Sequence, residues 1–224
     1  MWIVLRAVRA GCPKIIRSSW VTGTPRGPHE VVASEVRKEV LMRLEKSKIL
    51  SEPRLSQAWG MYSAAFAHLR AAAVQRQVMS LAEFGQVMSD ERVAKHLAVA
   101  EDGDDRIIAL ATFTNELGAM PLISPEFFAR RWPHLYARQH IWYLGFFVID
   151  PEHRSSGIFE AVIAQMWAEV QAAGGVAALD VCGRNAALGL PRAIERTLRR
   201  LSPGMVAESL DTQTYWAFSV DAMP

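Results

Sequence analysis

Apolar positions recur along this chain with two different periods, and the switches between them mark out its elements. Leu55, Trp59, Tyr62, Phe66 and Leu69 fall at three- and four-residue spacing, which predicts an amphipathic helix over residues 56–74. Ser80-Leu-Ala-Glu83 is a capping-box pattern and opens a second, shorter helix that ends near Ser89. Residues 96–100 and 106–113 read as strands, and the polar Glu101-Asp-Gly-Asp-Asp105 between them supplies a hairpin turn. Ser124 followed by Pro125 places a cap and a first helical residue at the head of a helix over 125–138. Ile141–Ile149 is uncharged and rich in aromatic and β-branched residues, as a buried strand requires. Ile158, Phe159, Val162, Ile163, Met166, Trp167 and Val170 return to the helical period, which predicts a helix over 156–173. A strand over 176–182 and a helix over 186–201 follow, with Pro191 within or just after its first turn. Residues 205–210 and 214–220 predict a closing pair of strands.

Helices alternating with strands in this order predict an α/β fold, a mixed central sheet with flanking helices. The first part of the chain departs from it. Residues 1–30 carry glycines and prolines with no sustained period, so residues 1–41 read as a basic, irregular extension to a domain over 42–224. Val32, Val36, Val40 and Leu44 allow a helix, whereas residues 41–49 equally allow a first strand, and both readings stand. Met42 is an alternative start, which leaves open whether residues 1–41 belong to the native protein.

A chain of 224 residues suits one domain with an appendage. Its 25 Lys and Arg nearly balance 23 Asp and Glu, which argues against a nucleic-acid partner. Cys12 and Cys182 are far apart, and neither they nor His134 and His153 show ligand spacing, so no metal is expected. Met1–Leu5 is too short for a signal-peptide core, and no apolar run approaches the ~20 residues of a membrane helix. A cytoplasmic protein without a membrane partner, monomeric or homodimeric, is the expectation.

The candidate chemistry lies where the strand 141–149 turns into the helix that follows. Pro151 ends the strand, Ser155 or Ser156 can cap the helix, and unpaired N–H groups at its start suit a diphosphate. Ile149, Pro151, Arg154, Gly157 and Ile158 stand in the order Ile-x-Pro-x-x-Arg-x-x-Gly-Ile. This resembles the cofactor motif of the GNAT superfamily of acyl-CoA-dependent N-acyltransferases, Val-x-Pro-x-x-(Arg/Gln)-x-x-Gly-x-(Gly/Ala). Phe159 departs from it, standing where a glycine or alanine is usual.

The resemblance implies a sheet with two splayed strands that hold acetyl-CoA as co-substrate. Phe147, Val148 and Ile149 would line the pantetheine arm through backbone groups, and Arg154, Ser155, Ser156, Gly157, Ile158 and Phe159 would wrap the pyrophosphate. Asn185 matches the start of a helix that in many members carries a thiolate-protonating tyrosine, but residues 186–195 contain none. Tyr143 occupies the place of a general-base glutamate, and a tyrosine is a poor base at neutral pH. Tyr215 and Glu116 are the other catalytic candidates, with His140 acting through water. Residues 117–140 carry Phe127, Phe128, Trp132 and Tyr136 and would shape an acceptor pocket. The implied activity is acetyl transfer to the amine of a small molecule or a peptide. The alternative is a catalytically weak acyl-CoA-binding sensor or scaffold.

Overall fold

The computed structural model describes residues 2–3, 41–74, 76, 78–153 and 157–220. Its centre is a six-stranded mixed sheet. In chain order the strands are β1 (Trp2–Ile3), β2 (Met42–Ser47), β3 (Ala94–Ala100), β4 (Ile107–Thr114), β5 (Ile141–Ile149) and β6 (Val176–Ala178). Strands β2, β3, β4 and β5 are neighbours in that order and antiparallel, whereas β1 and β6 each pair with β5 in parallel. The strand reading of residues 41–49 therefore holds, because Met42–Ser47 pairs with the open side of β3.

Every residue of β4 is buried, so the sheet is covered on both faces. Helices α1 (Arg54–Phe66) and α2 (Leu81–Ser89) cover one face, where Tyr62, Phe66 and Phe84 pack on Leu97, Leu110, Phe146 and Val148. Helices α5 (Ile158–Ala173) and α7 (Leu190–Leu201) cover the other, where Val162, Ile163, Met166 and Ile194 pack on Ala98, Ile108, Phe147 and Ile149. The capping box at α2 forms as predicted: Glu83 N–H donates to Ser80 Oγ at 3.3 Å, and Ser80 N–H donates to Glu83 Oε2 at 2.7 Å.

Several elements are shorter than the pattern predicts. The helix expected over 56–74 ends at Phe66 and tightens into one narrow turn over Ala67–Arg70. The one over 125–138 is two helices, α3 (Pro125–Arg131) and α4 (Pro133–Ala137). Trp132, with φ −136° and ψ 68°, leaves the helical region ahead of Pro133, as a residue before proline does. The one over 186–201 divides into α6 (Gly183–Ala187) and α7, with Gly189 between them at φ 82°. The expected closing strands at 205–210 and 214–220 do not form, and Val206, Trp216 and Phe218 are exposed. The strand such a pair would extend, β6, has only three residues and offers few ladder bonds. At the other end of the chain, Trp2 and Ile3 form a strand within the stretch expected to be irregular, and residues 4–40 lie outside the described residues.

Candidate functional site

Two irregularities coincide on β5. Strand β6 pairs only with its beginning, Ile141 opposite Val176, Trp142 opposite Ala177 and Tyr143 opposite Ala178. Beyond Tyr143 the two strands part. On the other side of β5, Ala111 faces Phe147 and Phe113 faces Leu144, so Thr112 stands opposite both Gly145 and Phe146. That is a β-bulge, and it shifts the side-chain alternation by one residue. Trp142 and Leu144 point to the α5 face, and after the bulge Phe147 and Ile149 do so. The buried Thr112 closes the irregularity by accepting a hydrogen bond from Phe146 N–H at 3.1 Å. A β-carbon on Gly145 would lie 2.6 Å from Thr112 Oγ1 and 3.0 Å from Met120 Cε, so the tight approach needs glycine.

Past Ile149 the chain turns sharply. Asp150 N–H still donates to Ile108 O at 2.9 Å, and Pro151–His153 forms a single narrow turn. Gly157 then precedes α5 in the left-handed region at φ 78°, with no heavy atom of the described residues within 4 Å of where a β-carbon would stand. Gly157 is itself the capping residue, and among the described residues no side chain caps the helix. Arg154, Ser155 and Ser156 lie outside the described residues. The side chains of Ile158 and Phe159 are buried, with the Phe159 ring 5.4 Å from that of Phe147. Only their backbone groups are available to a ligand. The same holds for Phe147, Val148 and Ile149, whose side chains are core.

Where the strands part, the Tyr143 hydroxyl donates to Asp180 Oδ1 at 2.6 Å. The phenol is buried and packs edge-on against Phe128 from α3, with ring centroids 6.4 Å apart. Burial, and then the nearby Asp180 charge, push its pKa well above the usual tyrosine value. It therefore stays protonated at neutral pH and cannot serve as a base there. Asp180 was not singled out in the sequence, because it falls inside a run that reads as strand; the chain leaves the sheet two residues before it. A carboxylate interrupting an apolar run was the available signal.

The remaining candidates are dispersed. Glu116 is exposed at the end of β4 and lines an open cavity of about 230 Å³ with Arg92, Asn115, Tyr136 and Gln139. This cavity lies by Ile141, at the opposite end of β5 from the turn to Gly157. His140 joins β5 to β6: its carbonyl accepts from Val176 N–H at 3.0 Å and its ring stacks near Trp142. Asn185 is buried in α6. Tyr215 is 49% exposed on an irregular segment, not on a strand that would carry it to Tyr143. Among the described residues no three His, Cys, Asp or Glu side chains gather as a metal site, and no helix is long and apolar enough to cross a membrane.

No family model and no curated protein matches the chain. Similar solved structures include an acetyltransferase of Trypanosoma brucei, 18% identical, covering 78% of this chain and 100% of its own, with a TM-score of 0.44. An aminoglycoside acetyltransferase from an uncultured soil metagenomic sample, solved with sisomicin, is 13% identical over 80% of this chain and 97% of its own, with a TM-score of 0.47. A ribosomal-protein-alanine N-acetyltransferase of Brucella melitensis is 13% identical over 80% of this chain and all of its own, at 0.40.

Proposed function

We propose that the chain is a GNAT-type N-acyltransferase that moves an acetyl group from acetyl-CoA to an amine. One observation carries the reading: β5 is bulged against β4, is left by β6 after Tyr143, and is followed in the chain by the left-handed Gly157 and the start of a sixteen-residue helix. Outward backbone groups along such an edge need partners, and the amides of a pantetheine arm supply them as an added strand would. At the end of that edge, the left-handed Gly157 and the N–H groups of the first turn of α5 suit a diphosphate. The residues present thus fit acyl-CoA, which would supply the activated thioester when bound.

This chain's own residues then orient the acceptor and handle its proton. Tyr143 holds the Asp180 carboxylate where the strands part, placing it to take a proton from the incoming amine through water. Phe128, Trp132 and Tyr136 form the apolar side of the acceptor region, and the exposed Glu116 attracts an ammonium group. A cavity of about 230 Å³ is smaller than most ligand pockets, which favours a small amine or a peptide N-terminus. A second reading, a weak acyl-CoA-binding sensor, is favoured by one fact: residues 186–195 offer no tyrosine to protonate the leaving thiolate.

Thiol release from acetyl-CoA, followed across a panel of small amines and short peptides, separates the two readings. Acceptor-dependent release is expected for at least one member. Tight CoA binding with no release across the panel would favour the sensor.

A further inference from the structure

The edge of β5 beyond β6 is not bare. Trp2 lies opposite Phe146 and Ile3 opposite Phe147 as a parallel strand. Strand β5 has two edges, and β4 occupies one of them from Tyr143 to Ile149. Strands β6 and β1 therefore share the other, β6 along Ile141–Tyr143 and β1 along Phe146–Phe147. The short strand thus begins at Phe146, within the bulge, where the departure of β6 leaves main-chain groups in need of partners.

We propose that residues 2–3 are a built-in occupant of the edge that receives the pantetheine arm, so that this segment and acyl-CoA exclude each other. The inference rests on the acyl-CoA reading above. Its own observation is the register, which seats Trp2 and Ile3 opposite Phe146 and Phe147 and so overlaps, at Phe147, the stretch 147–149 that would line the pantetheine arm. A two-residue ladder is small, so the segment is displaceable rather than a permanent plug. Being part of the same chain, it competes at a high effective concentration without needing high intrinsic affinity. Backbone pairing dominates this contact, and proline is the substitution that removes it, by deleting N–H donors and barring strand pairing. The apparent affinity for acyl-CoA is then the intrinsic one reduced by the fraction of molecules whose edge is open.

The test uses the full chain and its Trp2→Pro/Ile3→Pro variant, with Ile3→Pro alone as the milder change should the double variant fail to fold. CoA affinity is measured by calorimetry, and amide exchange of the segment 144–149 is measured without ligand. The proline variant should bind CoA at least about threefold more tightly, and its 144–149 amides should exchange faster than those of the unaltered chain. Equal CoA affinity in the two chains overturns the competition. Unchanged exchange shows that residues 2–3 do not sit on this edge and overturns the proposal at its base. Faster exchange with no CoA binding by either chain keeps the seat but refutes the acyl-CoA reading, and the competition falls with it.

Discussion

Burial and the Asp180 carboxylate act on Tyr143 in the same direction, and the sign of their effect separates a positioning role from a catalytic one. A phenol whose pKa lies above the ordinary value of about 10 is a weaker acid than a thiol near 8.5, so protonating a leaving thiolate from it is uphill. Tyr143→Phe is accordingly expected to keep kcat within about tenfold in the thiol-release assay, while stability falls by about 1 kcal/mol with the lost hydrogen bond. A fall of roughly 10²–10⁴ would instead make Tyr143 the acid. The linkage has a sign as well. Above about pH 10 the phenol ionises in the unfolded chain but not in the folded one, so folding stability falls as pH rises there, and in urea titrations the phenylalanine variant should show a shallower slope, the remainder coming from the buried Tyr62, whose pKa burial also raises. Of this constellation the sequence displayed Tyr143, by its distance from Gly157, but not its partner. Asp180 belongs to a segment whose apolar run continues through Cys182, and only tertiary structure shows that pairing stops at Ala178.

Strand β5 owes its irregularity to one small residue. The run 141–149 was legible as a buried strand because every neighbour of Gly145 is aromatic, aliphatic or β-branched, yet the same composition concealed the bulge. Gly145→Ala would drive a methyl group against Thr112 and Met120, with costs of overpacking of about 1–3 kcal/mol. If the strand relaxes by straightening, the edge beyond Tyr143 is reshaped and CoA affinity weakens as well. Unfolding and calorimetry on the same variant check both effects, and unchanged values in both would remove the bulge from the account. Other elements were legible where local chemistry decides. The Ser80–Glu83 box fixes the start of α2, and Ser124 accepts from Phe127 N–H at 3.4 Å at the head of α3. Boundaries were lost where a backbone break sits inside an apolar period, at Pro133 and at Gly189, because periodicity continues across a change of axis.

The order of elements was enough to predict a mixed sheet between two helical layers, since consecutive elements here are mostly neighbours in space. Two long-range features lay beyond it. Pairing of residues 2–3 with 146–147 depends on where β6 leaves the sheet, and the failure of 205–220 to form strands depends on how short β6 is. Neither is written in local propensity. The first of them fills part of the β5 edge that β6 leaves.

Thermal unfolding with and without acetyl-CoA tests most directly whether the edge of β5 and the head of α5 hold acyl-CoA. Ligand at about 100 times its Kd stabilises the folded state by about 2.7 kcal/mol, which for a chain of this size is a rise of roughly 5–10 °C in Tm. The variant Gly157→Glu places a side chain and a negative charge at the head of α5, at a cost of about 1 kcal/mol for the left-handed backbone. The expected result is a folded variant whose Tm no longer responds to acetyl-CoA. A shift as large as that of the unaltered chain would contradict it.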